Sequence, residues 1–204
     1  MLRFLFPFEK GILMNNNLSG ITPTMEKINT KRLCLEPLEL RHTKSLFDLY
    51  QDPELFCWIR KNPPSSRQEF TNGICFLEKR LSRDKSEYWL NWVAANKESS
   101  EIVTQIEVSL HRERRHAHLA YTTFRKFWKN GFAKEACTAV VDHLFSKWNV
   151  SKIVIEMDTR NEASIRLAES LGAKRVGFKA KAEFFKDTWS DEYTYEIAFA
   201  PAYS

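Results

Sequence analysis

Glycine is scarce in this chain, with six among 204 residues. None sits in G-x-x-x-x-G-K-[ST] or G-x-G-x-x-G, so neither a P-loop nor a dinucleotide fingerprint is present. Cysteine is thinner still. Cys34, Cys57, Cys75 and Cys137 are far apart and form no C-x-x-C pair. That spacing signals neither a zinc site nor a disulfide framework, and it reads as reduced, mostly buried thiols of a cytoplasmic protein. No apolar run approaches the roughly 18 residues of a membrane span. Residues 2–8 are apolar but broken by Arg3 and Pro7, and no small-residue cleavage site follows, so no signal peptide is expected. Repeats and low-complexity tracts are absent as well.

What remains is ordinary globular composition, 43% hydrophobic and 28% charged. A chain of this size fits one domain whose core needs no staple. The formal charge of +5 suits an anionic ligand or partner, or a solvated surface slightly richer in lysine than in glutamate. Residues 1–26 are polar and turn-rich without a face to bury. They read as a poorly ordered extension ahead of a domain over 27–204.

Periodicity organises the rest. Residues 32–38 alternate as an edge strand, and 43–50 carry Leu46, Phe47, Leu49 and Tyr50 at helical spacing. Ser66 with Glu69 forms a capping-box start for a helix that faces inward through Phe70, Ile74, Leu77 and Leu81. Strands are expected at 89–95, 101–110 and 115–123, the last two joined by a basic hairpin tip. A long helix over 131–148 presents Phe132, Ala136, Val140, Leu144 and Trp148 as a stripe for a sheet. Residues 152–158 form a continuous apolar run, as in a buried parallel strand. Asn161 caps a short helix that Gly172 ends. Strands near 174–185 and 193–200 close the chain. The expected fold is a mixed α/β domain. Its sheet is mixed, mostly antiparallel, of about seven strands, with helices on both faces.

The stretch FWKNGFAKEA, residues 127–136, places a glycine where the long helix begins. A helix start offers backbone N–H groups with no internal acceptor and partial positive charge. Gly131 removes the side chain that would keep a phosphate away, Ala133 keeps the next position small, and Lys126, Lys129 and Lys134 add charge. The turn therefore suits a pyrophosphate. A plain helix start with a convenient glycine is the other reading.

Four motifs decide between them. TKRLCLEPLELRHTKSLFDLYQDPEL, AHLAYTTFRKFWKNGFAKEA, NEASIRLAESLGA and AEFFKDTWSDEYTYEI occur in this order. Together they resemble the GNAT superfamily of acetyl-CoA-dependent N-acetyltransferases, in the branch of ribosomal-protein and spermidine acetyltransferases. The likeness covers about residues 30–197. Departures exist. Trp128 stands where the loop usually has Gln or Arg, Lys129 replaces a common glycine, and Ala173 replaces a phenylalanine. Ala168 replaces a tyrosine that serves many relatives as general acid.

The resemblance implies a sheet splayed between its fourth and fifth strands, with acetyl-CoA in the gap. Pantetheine would pair with the backbone of Tyr121, Thr122 and Thr123. The pyrophosphate would rest on Trp128, Lys129, Asn130, Gly131, Phe132 and Ala133, and Asn161 would reach the cosubstrate from the other side. Glu183 matches the proposed base and Ser164 the serine proposed to meet the thiolate. Glu107 follows as a second candidate base by its strand position, and His118 as a third. In a tight hairpin His118 would face His111, a pair too small to predict a metal.

An amine of pKa about 10 is protonated at neutral pH and must lose a proton before it attacks a thioester. The expected acceptor is a peptide or protein N-terminal amine or a small amine, with a polyamine as an alternative. A non-catalytic CoA-binding module and nucleic-acid binding through HRERRHAH are the competing classes, the latter unlike the rest of the pattern. No membrane partner is expected, and a homodimer is an open expectation.

Overall fold

The described residues fold into eight strands and four helices of more than one turn. The strands are β1 (Ile28–Asn29), β2 (Leu33–Pro37), β3 (Glu87–Asn96), β4 (Ile102–His111), β5 (His116–Thr123), β6 (Lys152–Asp158), β7 (Lys174–Phe185) and β8 (Thr188–Ala198). The helices are α1 (Thr43–Leu49), α2 (Arg67–Leu77), α3 (Phe132–Lys147) and α4 (Glu162–Ser170). This computed structural model describes residues 23–113 and 115–199. The strands form one sheet in the order β1-β2-β3-β4-β5-β6-β8-β7. Among the described residues only β5 and β6 run parallel.

The eighth strand is β1, two residues long and too short to carry a periodic signal. It covers Cys34 and Leu35 of β2, so the strand expected at the edge is second from it. The other boundaries fall within a few residues of the periodicity. Ser66 accepts from the Glu69 N–H at 3.2 Å and starts α2. Leu81, expected on the inward face of α2, lies beyond its end, because Arg80 turns left-handed (φ 57°).

Register assigns the faces. Ile106 of β4 lies opposite Trp92 and Tyr121. The Trp92 ring meets His143 of α3 at 5.9 Å, and Tyr121 lies beside Cys137 of α3. The same face takes α4, whose Ser164 carbonyl accepts from the Tyr121 hydroxyl at 3.2 Å. On the opposite face, Tyr50 after α1 donates to Gln105 at 3.1 Å, and Phe76 of α2 packs on Trp89 at 5.5 Å. Phe132, Ala136, Val140 and Leu144 of α3 are buried as one stripe. Such burial stabilises by about 1.5–3 kcal/mol for each large apolar side chain.

Three expectations need correction. Residues 23–26 belong to the fold rather than to an extension: Met25 is buried in the core, the Pro23 carbonyl accepts from Arg80 and the Glu26 carbonyl from Trp92. Residues 1–22 lie outside the described residues. The β4–β5 hairpin sets His118 opposite Ser109, not His111, because its turn is centred nearer Glu113. The cysteines are not mostly buried, since Cys57 and Cys75 are exposed and only Cys137 is fully enclosed.

Candidate active site

The parallel pair is short. His116, Ala117 and His118 align with Lys152, Ile153 and Val154, and there the pairing ends. Beyond it β6 continues against β8, while β5 stays with β4. A wedge opens between residues 119–123 and 155–158. Antiparallel strands alternate their backbone groups from side to side. Phe124 donates its N–H to Val103, so even-numbered residues of β5 turn toward β4. Arg115 accepts from Ser151 next to β6, which confirms that odd-numbered residues turn the other way. Tyr121 and Thr123 therefore present their main chain to the wedge. Thr122 does not: its carbonyl accepts from the Thr104 hydroxyl at 2.8 Å.

Strand β5 runs into the turn that starts α3. Gly131 is the N-cap and is left-handed, φ 76°. A Cβ there would be strained, and it would lie 3.5 Å from Arg32 Nη2. The cap has no side-chain hydrogen bond, unlike Ser66 on α2 and Asn161 on α4. Helical bonding begins with Glu135 N–H to the Gly131 carbonyl, so the N–H groups of Phe132, Ala133 and Lys134 have no intrahelical acceptor. Lys129 is also left-handed, φ 61°. Two left-handed residues around Asn130 fold the backbone into the kind of concavity that takes anions. Arg32 steadies it, giving Nη1 to the Asn130 carbonyl at 2.9 Å and Nε to Glu135 at 2.6 Å. The Trp128 indole, 42% exposed, donates to the Thr123 carbonyl at 2.6 Å. Arg32 gave no motif signal, because its partner lies more than a hundred positions away.

The α1–α2 face of the sheet is polar where a core is normally apolar. Asn91, Gln105, Glu107 and Ser109 are each at most 3% exposed. Asn91 lies directly opposite Glu107, and Ala120 of β5 lies on its other side. Asn91 Oδ1 and Gln105 Nε2 are enclosed without a hydrogen-bond partner. The segment joining α1 to α2 crosses this face. Asp52 lies 3.9 Å from Arg125, just ahead of the loop. Phe56 gives its carbonyl to Lys186, and Trp58 stacks under Arg160 at 5.3 Å. Arg60 meets Glu183 at 3.4 Å. Lys61 keeps its Nζ away from solvent and within electrostatic reach of Glu107. Burial pushes the Lys61 ammonium down, and Glu107 pulls it back in part. Burial, with Glu107 nearby, pushes the Tyr50 hydroxyl well up.

The remaining candidates are spread around the wedge. Glu183 sits on β7 opposite Ser190, with Oε2 enclosed and unpaired. Ser164 is half-buried in the first turn of α4, its N–H held by Asn161 Oδ1 at 3.2 Å. The cap uses the Asn161 oxygen and leaves its amide nitrogen out of it. His118 stands 3.6 Å from Glu156. Ala168 is fully buried, so a tyrosine there would have to be housed in the core. Among the described residues no cluster of His, Cys, Asp or Glu could hold a metal ion, and no helix is long and apolar enough to cross a membrane.

A strand pair that parts, followed by an uncapped helix start, is the frame of this site. Comparison gives the class a name: the acetyltransferase (GNAT) domain profile matches residues 32–174, and the chain belongs to that family. It is an acetyl-CoA-dependent N-acetyltransferase of the GNAT type. It is 25% identical over 174 residues to an uncharacterized N-acetyltransferase, p20, of Bacillus licheniformis, covering 85% of this chain and 96% of that one. The fold is similar to RimL, a ribosomal L7/L12 alpha-N-protein acetyltransferase solved with coenzyme A. That match has TM-score 0.77 and 17% identity, over 85% of this chain and 98% of that one. It is also similar to spermidine N-acetyltransferase from Vibrio cholerae with CoA and spermine, at TM-score 0.72 and 18% identity over 83% and 96%.

Proposed function

We infer that this protein acetylates the free amine of a peptide or protein N-terminus, or of a small monoamine, by direct attack within a ternary complex. The uncapped, left-handed start of α3 at the mouth of the wedge carries the reading. The pyrophosphate rests on residues 128–133, and pantetheine runs along Tyr121 and Thr123. The Asn161 amide nitrogen closes the far side. The acceptor enters from the α1–α2 face. Glu183, or Glu107 in second place, takes the proton from the amine. The amine nitrogen bonds to the thioester carbon, the C–S bond breaks, and the thiolate takes a proton from the Ser164 side of the wedge. The Tyr121 hydroxyl supports that end: burial keeps it neutral, and it already reaches the Ser164 carbonyl. A monoamine fits better than a polyamine, because a chain of net charge +5 repels a polycation.

Thermal unfolding with acetyl-CoA tests the reading. Ligand at 100 times its Kd stabilises by about 2.7 kcal/mol. The expected result is a raised Tm for wild type and none for Gly131→Glu, whose carboxylate opposes the phosphates. No shift for wild type at millimolar acetyl-CoA would overturn it. A second reading is a CoA-binding module without turnover, favoured by the alanine at 168. Release of free thiol with any amine in a screen excludes it.

A further inference from the structure

Strand β7 ends the sheet and is twelve residues long. Among the described elements β8 is its one substantial neighbour, and no helix covers it. Its aromatic side chains are open to solvent: Phe178 is 60% exposed, and Phe184 and its cross-strand neighbour Trp189 are each 51% exposed. Such an edge is a template for another chain unless charge or a covering element guards it. Lysines do line β7, so the question is whether they guard the edge or match something.

The main chain fixes which residues can pair outward. Asp191 accepts from Thr159 and Phe199 donates to Ser151, so odd-numbered residues of β8 turn toward β6 and even-numbered ones toward β7. Glu183 and Lys179 lie opposite the even-numbered Ser190 and Glu192 and bond inward. Phe178 and Phe184 lie opposite Tyr193 and Trp189, so their N–H and carbonyl groups point off the edge. In an antiparallel pair of two β7 strands, Phe178 can therefore face the partner's Phe184. That single register also sets Lys179 opposite the partner's Glu183, and the two-fold axis repeats both pairs. A shift of two residues either way loses the aromatic pair, and a shift of one turns the main chains apart. Each copy already stacks Phe178 on Tyr193 at 5.8 Å and Phe184 on Trp189 at 5.3 Å. The pairing joins these stacks into two rows of four rings. The irregular stretch 180–182 falls on the axis, where Ala180 and Ala182 leave room for a second chain. Lys181 between them is left-handed, φ 49°, with its N–H tied to Asp191 at 2.8 Å.

We propose that two copies of this chain pair through β7, antiparallel about a two-fold axis at Lys181, and so join their eight-stranded sheets into one. The lysine at Lys179 then matches a carboxylate, and each Glu183 gains a cation from the other subunit. A half-exposed aromatic side chain offers about 100 Å². Six of them bury about 600 Å² before the main chain is counted, which places the interface at the small end of the stable class.

Sedimentation velocity from about 1 to about 100 µM spans the Kd expected of an interface this small. The wild type should pass from monomer to dimer across that range. Lys179→Glu, which sets two carboxylates against each other in both pairs, should weaken association at least about tenfold. Combining it with Glu183→Lys should restore the dimer. Lys181→Ala, which removes a like-charge contact at the axis, should tighten it about threefold. Where the charge-exchanged chain does not fold, Phe178→Ser at an open site serves instead and should also dissociate the pair. A monomer at every concentration, with acetyl-CoA binding intact, overturns the proposal and leaves the edge to another partner, such as an extended peptide. A dimer that neither Lys179→Glu nor Phe178→Ser weakens lies on another surface and overturns it as well. Neither result touches the transferase reading, which stands or falls with acetyl-CoA binding.

Discussion

The indole nitrogen of Trp128 donates to the Thr123 carbonyl at 2.6 Å, joining the loop before α3 to the last residue of β5. That carbonyl faces the wedge. The bond therefore fixes the angle at which strand and helix start present themselves to one ligand.

Trp128→Phe keeps the ring and deletes the donor. A hydrogen bond of this kind is worth about 1 kcal/mol. Because the bond is present in the free protein, its loss should lower the Tm of the free protein by about 2–4 °C, and calorimetry should show weaker acetyl-CoA binding. Unchanged affinity would remove the tie from the account of the site.

Lys129 holds a left-handed backbone with a full side chain, φ 61°. That conformation costs an ordinary residue about 1–2 kcal/mol, part of which glycine forfeits through its freer unfolded chain. Lys129→Gly should raise the Tm by about 1–4 °C in a domain of this size. Acetyl-CoA affinity should fall slightly with the lost charge, and more so at low salt. A lowered Tm would mean the lysine side chain supports the loop in the folded state.

Asp158 ends β6 and is held by Ser190 at 2.6 Å and by Arg160. Burial pushes its carboxyl up, but the hydrogen bonds from Arg160 and Ser190 outweigh that and leave it below the ordinary 3.8. A depressed carboxyl stabilises the fold above its unfolded value, and the contribution disappears as pH falls through the lower folded value. Ser190→Ala should cost about 1–2 kcal/mol at pH 7. In urea titrations the gap from wild type should hold down to about pH 4 and close below it. A gap constant to pH 2 would show that the loss is packing alone.

Much of this was legible in the chain. Seven of the eight described strands and all four helices announce themselves by period, and Ser66, Asn161 and Gly172 punctuate them where caps and turns require. Strand β8 begins five residues earlier than its apolar pattern, because Thr188, Ser190 and Glu192, which pair with β7 or β6 there, are polar even where, as at Ser190, the side chain is buried. The glycine of the loop was readable because a phosphate needs close approach to the backbone of a helix start, which a side chain would block. Arg32, Tyr50 and Lys61 were not. Each acts through a partner distant in sequence, and no local spacing encodes such a meeting. His118 was misplaced for a similar reason: a one-residue shift in the centre of a turn moves every cross-strand pair by two.

The two halves of the sheet touch through three aligned residues of β5 and β6, while β6 is matched to β8 along its whole length. Strand β6 thus gains most of its partners from a segment made some forty residues later. During synthesis the first five strands can assemble while β6 waits for the end of the chain. The cleft is a seam between an early and a late unit. Hydrogen exchange should find it there, with β3 and β4 the slowest to open and β7 among the fastest.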